Sequence, residues 1–281
     1  MSLDHVLGVD HVVVAVRDLA LSAKTWEALG FTVSPRGLHS PHMGSANHTI
    51  MLQEDYLELL GIVSDTDQNK PTRDFLAKHE GIERIAFTTD DAAAGAAEIT
   101  SRGFPAIGPV HFGRPVPLPG GGEADAKFNV FRWPLDEQPG GIRIFACQHL
   151  TRENVWIPVL QQHANGAVAL RRIEILAADP RAAAEHLSRL LDEPARQEGA
   201  IWRVASGRSR ADILFYTPET FAERYPDAVR EGAAGKGVAA LVLATRDLDA
   251  AAKASGAIRH GDAASVPAAR ASGSVLSFVS A

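Results

Sequence analysis

Two side chains stand out because their surroundings make them costly unless they do something. His11 opens the apolar run Val12-Val13-Val14-Ala15-Val16, and Glu58 interrupts Tyr56-Leu57-Glu58-Leu59-Leu60. An ionised carboxylate inside an apolar strand is unfavourable unless it is ion-paired, hydrogen-bonded or bound to metal. Imidazole is a good ligand for zinc, iron, nickel or manganese. Beside such a metal a carboxylate can also shuttle a proton, which makes Glu58 the candidate catalytic residue. The bland alternative for Glu58 is an ion pair with Arg17 or Arg84.

Other polar and aromatic residues are candidates for substrate contact. Residues 37–48 carry His39, His42 and His48 around Gly44 and Asn47, with spacings on an irregular loop that fix no ligand geometry. Asn47 and His48 are expected to touch substrate, and His39 to face solvent. Arg114, Phe131 and Trp133 lie on what reads as a later hairpin and are expected to line the same region, with ordinary rim packing as the alternative. In the run Ile142 to His149, strand alternation groups Ile142, Ile144, Ala146 and Gln148 on one face and Arg143, Phe145, Cys147 and His149 on the other. His149 then falls on the side of the candidate site, and a bulge would bring in Gln148 instead. Trp26, Trp156 and Cys147 read as core. Gly120-Gly121-Gly122 lacks the Lys and Ser/Thr of a phosphate loop, and no Gly-x-Ser-x-Gly elbow is present.

The elements that must position these residues recur along the chain. Four segments pair an apolar strand with an Asp-capped helix: His11 to Phe31, Arg84 to Phe104, and units beginning near Arg172 and Ala240. Asp18, Asp91, Asp179 and Asp247 suit helix N-caps, because a carboxylate accepts hydrogen bonds from unpaired backbone N–H groups at the positive end of the helix dipole. Pro180 fits the first helical position. Gly30 and Gly103 each follow their Asp by twelve residues and suit the left-handed turn that closes a helix. Short β-rich runs separated by turn residues follow each helix. Gly207-Arg208-Ser209-Arg210 reads as a hairpin turn, and a Pro/Gly-rich stretch runs from Pro105 to Gly122. Each unit is therefore βαβββ, and the chain is α+β, with four modules in two tandem domains at 5–150 and 168–281.

On the residues Gly8 to Leu19, Ala28-Leu29-Gly30-Phe31-Thr32-Val33, Gly44-Ser45-Ala46-Asn47 and Tyr56 to Leu60, the sequence resembles the vicinal oxygen chelate superfamily, and its glyoxalase-like domains in particular. The resemblance implies paired βαβββ modules forming a cup around a divalent metal, with ligands from the first and last strands of each module. His11 and Glu58 match the first two ligand positions. In the second module Arg84 stands where a metal-dependent relative carries His, and Arg cannot ligate; Arg84 and Gln148 become candidate substrate contacts. His11, Glu58 and His149 are left as a three-ligand set for Zn, Ni, Mn or Fe.

Composition narrows the choice further. The chain has 281 residues, 46% hydrophobic and 22% charged, enough for a sizeable core. A net charge of -6 without long single-sign runs gives no footprint for nucleic acid or an anionic membrane. The single cysteine, Cys147, excludes an internal disulfide and fits a reducing compartment. With no apolar run of about 20 residues and no basic-then-apolar start, a cytoplasmic protein is expected; nothing is built on Met1-Ser2-Leu3. The expected activity is that of a metal-dependent isomerase, lyase or hydrolase on a small oxygenated substrate. The alternatives are a metal-free small-molecule binding or sequestering protein and an extradiol-type dioxygenase. The last would need iron in the later pair of modules, where Arg172 and Ala240 stand at the strand starts. That later pair, without a site of its own, is read as a potential homodimer interface.

Overall fold

In the computed structural model, which describes residues 3–118, 120–233 and 235–281, the repeat builds two eight-stranded sheets. Met1 and Ser2 lie outside the described residues. The first unit comprises β1 (Val9–Val16), α1 (Leu19–Ala28), β2 (Gly37–Leu38), β3 (Ser45–Met51) and β4 (Tyr56–Ile62). A short helix, α2 (Lys70–Leu76), leads to the second unit: β5 (Gly81–Thr88), α3 (Ala92–Ser101), β6 (Ile107–Pro117), β7 (Glu123–Arg132) and β8 (Arg143–His149). Strand order is β2-β3-β4-β1-β5-β8-β7-β6. The two opening strands pair antiparallel at the centre, and each pairs in parallel with the last strand of its own unit.

The second sheet repeats this plan. Its third unit is β9 (Ala167–Leu176), α4 (Pro180–Leu191), β10 (Ala195–Glu198), β11 (Ile201–Val204) and β12 (Asp212–Tyr216). Helices α5 (Pro218–Arg224) and α6 (Asp227–Arg230) lead to the fourth: β13 (Gly237–Thr245), α7 (Leu248–Ser255), β14 (Ile258–His260), β15 (Ala263–Val266) and β16 (Val275–Ser280). The order, β10-β11-β12-β9-β13-β16-β15-β14, matches the first sheet position for position. The fold is thus α+β, with paired βαβββ modules in two tandem domains.

The capping logic is realised in every unit. Asp18 accepts from Leu21 N, Asp91 from Ala93 and Ala94, Asp179 from Ala182, and Asp247 from Asp249 and Ala250. Residues 207–210 do form the turn between β11 and β12. Most of the Pro/Gly-rich residues 105–122 form β6. Proline is tolerated there because β6 is an edge strand, where a missing N–H removes no ladder bond. Residues 45–48 likewise belong to β3 and not to a loop.

Alternation sorts each sheet into two faces. Val12, Val14 and Val16 join Trp26 of α1 and Ile99 of α3 in a core that continues into the second domain through Ile173, Phe215 and Phe278. Phe31 stacks on Phe278, and Trp133 Nε1 donates to Leu190 O at 3.3 Å. The opposite faces form the cups, and they differ. In the second domain Phe221 of α5, Tyr225 just after it and Val229 of α6 pack on Leu214, Tyr216 and Ala240 and fill the cup. In the first, Val155, Trp156 and Leu160 of the connector close one end only, leaving a cavity of about 390 Å³. No helix among the described residues is long and apolar enough to cross a membrane.

Candidate active site in the first cup

Strand register sets the cavity out in rows. One row across the sheet runs Tyr56, His11, Ala86, Phe145; the next runs Thr49, Glu58, Val13, Arg84, Arg143. His11 Nδ1 lies 2.7 Å from Asp10 Oδ2. A carboxylate only accepts, so Nδ1 donates to it and Nε2 is the ring nitrogen turned to the cavity. That Nε2 faces Glu58 Oε2 at 3.7 Å. Tyr56 stacks on the ring at 4.3 Å and Phe145 meets it edge-on, which fixes its plane.

His39 approaches Glu58 from the other side. Its Nδ1 is 2.8 Å from Ser45 Oγ, and its Nε2 is 3.8 Å from Glu58 Oε1. Asn47 Nδ2 donates to the same Oε1 at 2.6 Å, while Asn47 Oδ1 is buried without a partner. Burial pushes the Glu58 carboxyl up, but His11, His39, the Asn47 amide and Arg84 outweigh it and hold the group below its ordinary value. Burial pushes His39 down to about 4, with Glu58 opposing and Arg114 adding to the effect. His39 is therefore neutral at pH 7 and Glu58 is ionised.

In chemical type these donors suit a divalent metal: two imidazole nitrogens and one carboxylate are the set favoured by non-haem iron and compatible with zinc, and each imidazole is held through its other nitrogen, as metal-binding histidines are. The histidines meet opposite oxygens of the carboxylate, and one ligand atom from each of the three residues does not fall within 4.8 Å of the others. Separations of 3.7 and 3.8 Å are too long for hydrogen bonds. They slightly exceed the roughly 3 to 3.6 Å between neighbouring ligands on bonds near 2.1 Å.

A second group lies behind His11. Asp10, Cys147 and His149 place ligand atoms within 4.8 Å of one another and could hold a metal. Asp10 accepts from His11, from His149 Nε2 at 2.9 Å and from Thr88 Oγ1 at 2.9 Å. Burial alone would raise its carboxyl, yet the histidines hold it well below the carboxylate range. Burial drives the Cys147 thiol well up.

Arginines line the remainder. Arg84 and Arg143 both engage buried Glu83, Arg84 through Nε at 2.6 Å, and Arg84 also donates to Thr72. Arg114 crosses from β6 towards β2, where Gly37 leaves room: a Cβ there would lie 2.3 Å from Arg114 Nη1. Arg132 also lines the cavity.

The structure brings together His11, Glu58, Asn47, Arg84, Arg114 and Trp133 of the residues singled out in the sequence. It places the others elsewhere. His149 turns to Asp10, because β8 runs past the His11 row to the start of β1. His48 bonds Ser34 O. Gln148 faces the helix side, donating to Asp90 O and accepting from Asn129. Phe131 is in the core against α3. Glu58 pairs with neither Arg17, which binds Leu76 O, nor Arg84, which lies two strands away across Val13. His39 is the main correction: it is buried beside Glu58 and not exposed to solvent. The three-histidine cluster was the signal, but β2, only two residues long, left its geometry invisible. Asp10 was missed because a bulge between Val9 and His11 breaks the alternation.

A sequence model of the family described as glyoxalase-like domain matches residues 9–191. A crystal structure of a hypothetical protein from Staphylococcus aureus superposes with a TM-score of 0.71 at 11% identity, covering 97% of this chain and 99% of that one. A mutant of 4-hydroxymandelate synthase from Streptomyces coelicolor superposes at 0.60 with 13% identity, covering 98% and 92%. Methylmalonyl-CoA epimerase from Streptomyces coelicolor is 21% identical over 52% of this chain and 96% of its own, with a TM-score of 0.40. At these identities the first two show a shared fold. No curated protein sequence matches significantly.

Proposed function

This chain belongs to the glyoxalase-like domain family of the vicinal oxygen chelate superfamily, and we propose that its first cup is the active site of a divalent-metal-dependent enzyme acting on a small oxygenated substrate. The reaction is of isomerase, lyase or hydrolase type. One observation carries this reading: His11 Nε2 and His39 Nε2 converge on the Glu58 carboxylate, each ring anchored through Nδ1. His11, Glu58 and His39 would hold Zn, Ni, Mn or Fe, with His39 in the place first given to His149. When bound, the metal supplies a Lewis acid that polarises a substrate oxygen.

The chain's own residues supply the rest. Glu58 is ionised, with Oε1 towards Asn47 and His39 and Oε2 towards His11, so one oxygen can ligate while the other takes and returns a proton. The unpartnered Asn47 Oδ1 accepts from a substrate hydroxyl. Asp10 accepts from Nδ1 of His11, and Ser45 Oγ holds Nδ1 of His39, so each ring is held in place with its Nε2 towards Glu58.

The test is elemental analysis of protein purified without chelator, alongside calorimetric titration of the apo form. Stoichiometric metal in the wild type, lost in Glu58→Gln and His39→Ala, is expected. Failure to retain or take up any of the four metals would overturn the reading. A second reading, a metal-free small-molecule binding protein, is favoured by the second module. Counting back equally from Asp18 and Asp91 aligns His11 with Arg84, and strand pairing aligns Glu58 with Phe145; neither Arg84 nor Phe145 ligates. Ring cleavage at iron in the later modules has no support, since that cup is filled by Phe221, Tyr225 and Val229.

A further inference from the structure

The charge around the cavity is unbalanced. Arg84, Arg114, Arg132 and Arg143 line it, against Glu83, which is shared by two of them, and Glu58, which is engaged by Asn47 and the histidines. The remaining lining carboxylate, Glu137, pairs with His186. Among the described residues Arg114 and Arg132 pair with no carboxylate. Arg132 is exposed and Arg114 half-buried; burial pulls Arg114 below its ordinary value while nearby Glu58 pushes it up. A half-buried guanidinium without a carboxylate partner is costly unless an anion joins it, and guanidinium is the donor best matched to a bidentate oxyanion.

The opposite requirement comes from the walls. Ile107, Val110, Phe112, Phe128, Val130 and Leu135 line the same cavity. Its volume of about 390 Å³ lies at the lower end of the range for small-molecule sites. An inorganic anion would leave these walls wet, and an uncharged apolar molecule would leave Arg114 unpaired.

From these two demands we propose that the cavity takes an organic oxyanion with an apolar body, its carboxylate or phosphate held by Arg114. This rests on the reading of the first cup as the active site, but not on the metal. Gly37 is part of the device, since any side chain there would displace Arg114.

The test is isothermal titration of the full-length protein with 4-phenylbutyrate, 4-phenylbutyramide, phenyl phosphate and acetate, each before and after dialysis against chelator. The carboxylate or the aryl phosphate is expected to bind at least about tenfold more tightly than the amide, a difference of about 1.4 kcal/mol, and acetate to bind more weakly than either. The stronger of the two identifies the head group. Arg114→Gln should abolish the preference over the amide while circular dichroism and thermal unfolding stay as in the wild type. Equal binding of the amide, no binding by either aryl anion, or a preference that survives in the folded Arg114→Gln variant would overturn the proposal. An anion preference that persists in chelator-treated protein, with no metal found before treatment, would sink the metal assignment and leave this one standing.

Discussion

Asp10→Asn separates the role of a buried charge from the role of its shape. Asp10 is fully buried, and its Oδ2 accepts from both His11 and His149 while Oδ1 accepts from Thr88. Asparagine is nearly isosteric: with its carbonyl in the Oδ2 position it still accepts from both imidazoles, and the Thr88 hydroxyl can rotate to accept from the amide. Charge is what disappears. A hydrogen bond to a charged group contributes about 1.5–3 kcal/mol and a neutral one about 1, so two weakened bonds cost about 2 kcal/mol of stability. Loss of a carboxylate behind a metal-binding imidazole lowers metal affinity by about 10–100-fold. Urea unfolding of chelator-treated protein reads the first quantity and metal titration reads the second. His149→Gln, which removes only the bond outside the cavity, should lower stability and spare the metal. Should Asp10→Asn destabilise the apo protein yet bind metal as the wild type does, the argument that Asp10 positions His11 for ligation would be wrong.

Two further substitutions test packing and linkage. Gly95→Ala in α3 should gain about 1 kcal/mol from helix propensity, but its Cβ would lie 2.7 Å from Phe131 Cε1, and overpacking costs about 1–3 kcal/mol. A lower melting temperature is expected, and a higher one would contradict the tight fit of α3 on β7. Asp55 is buried at the domain junction, where it accepts from Leu170 N at 3.0 Å. Burial pushes its carboxyl up to about 7, with the Leu170 bond partly opposing. The folded protein therefore binds this proton more tightly than the unfolded chain does, so the Asp55 contribution falls as pH rises from about 4 to 7 and is level above. Relative to the wild type, Asp55→Asn should become more stable between pH 5 and pH 8, by up to about 3 kcal/mol. Parallel pH profiles for the two proteins would disprove the shift.

Much of this was legible because it was written in short-range rules. The capping aspartates, the Gly30 and Gly103 turns and the valine alternation of β1 are local signals, and they define the modules and place His11 on the cup face. Glu58 was legible for a similar reason, as a charge in an apolar run. His39, Arg132 and the shared Glu83 were not, because their roles arise only when β2, β7 and β5 are curled around one cavity. Gln148 and Phe131 misled for the converse reason: a polar or aromatic residue near the right rows can still face the helices, and strand parity alone does not say which face a polar residue serves.

The filled cup of the second domain offers a route for redesign. Phe221, Tyr225 and Val229 act as a plug contributed by the chain itself, set over a fully buried Glu174 that already carries Arg172, Arg224 and the Tyr225 hydroxyl as neighbours. Trimming the plug to small side chains would expose a second chamber of the same architecture, with one acidic and two basic groups in place before any is introduced. The same strand order thus gives this chain one open cup and one filled by its own side chains.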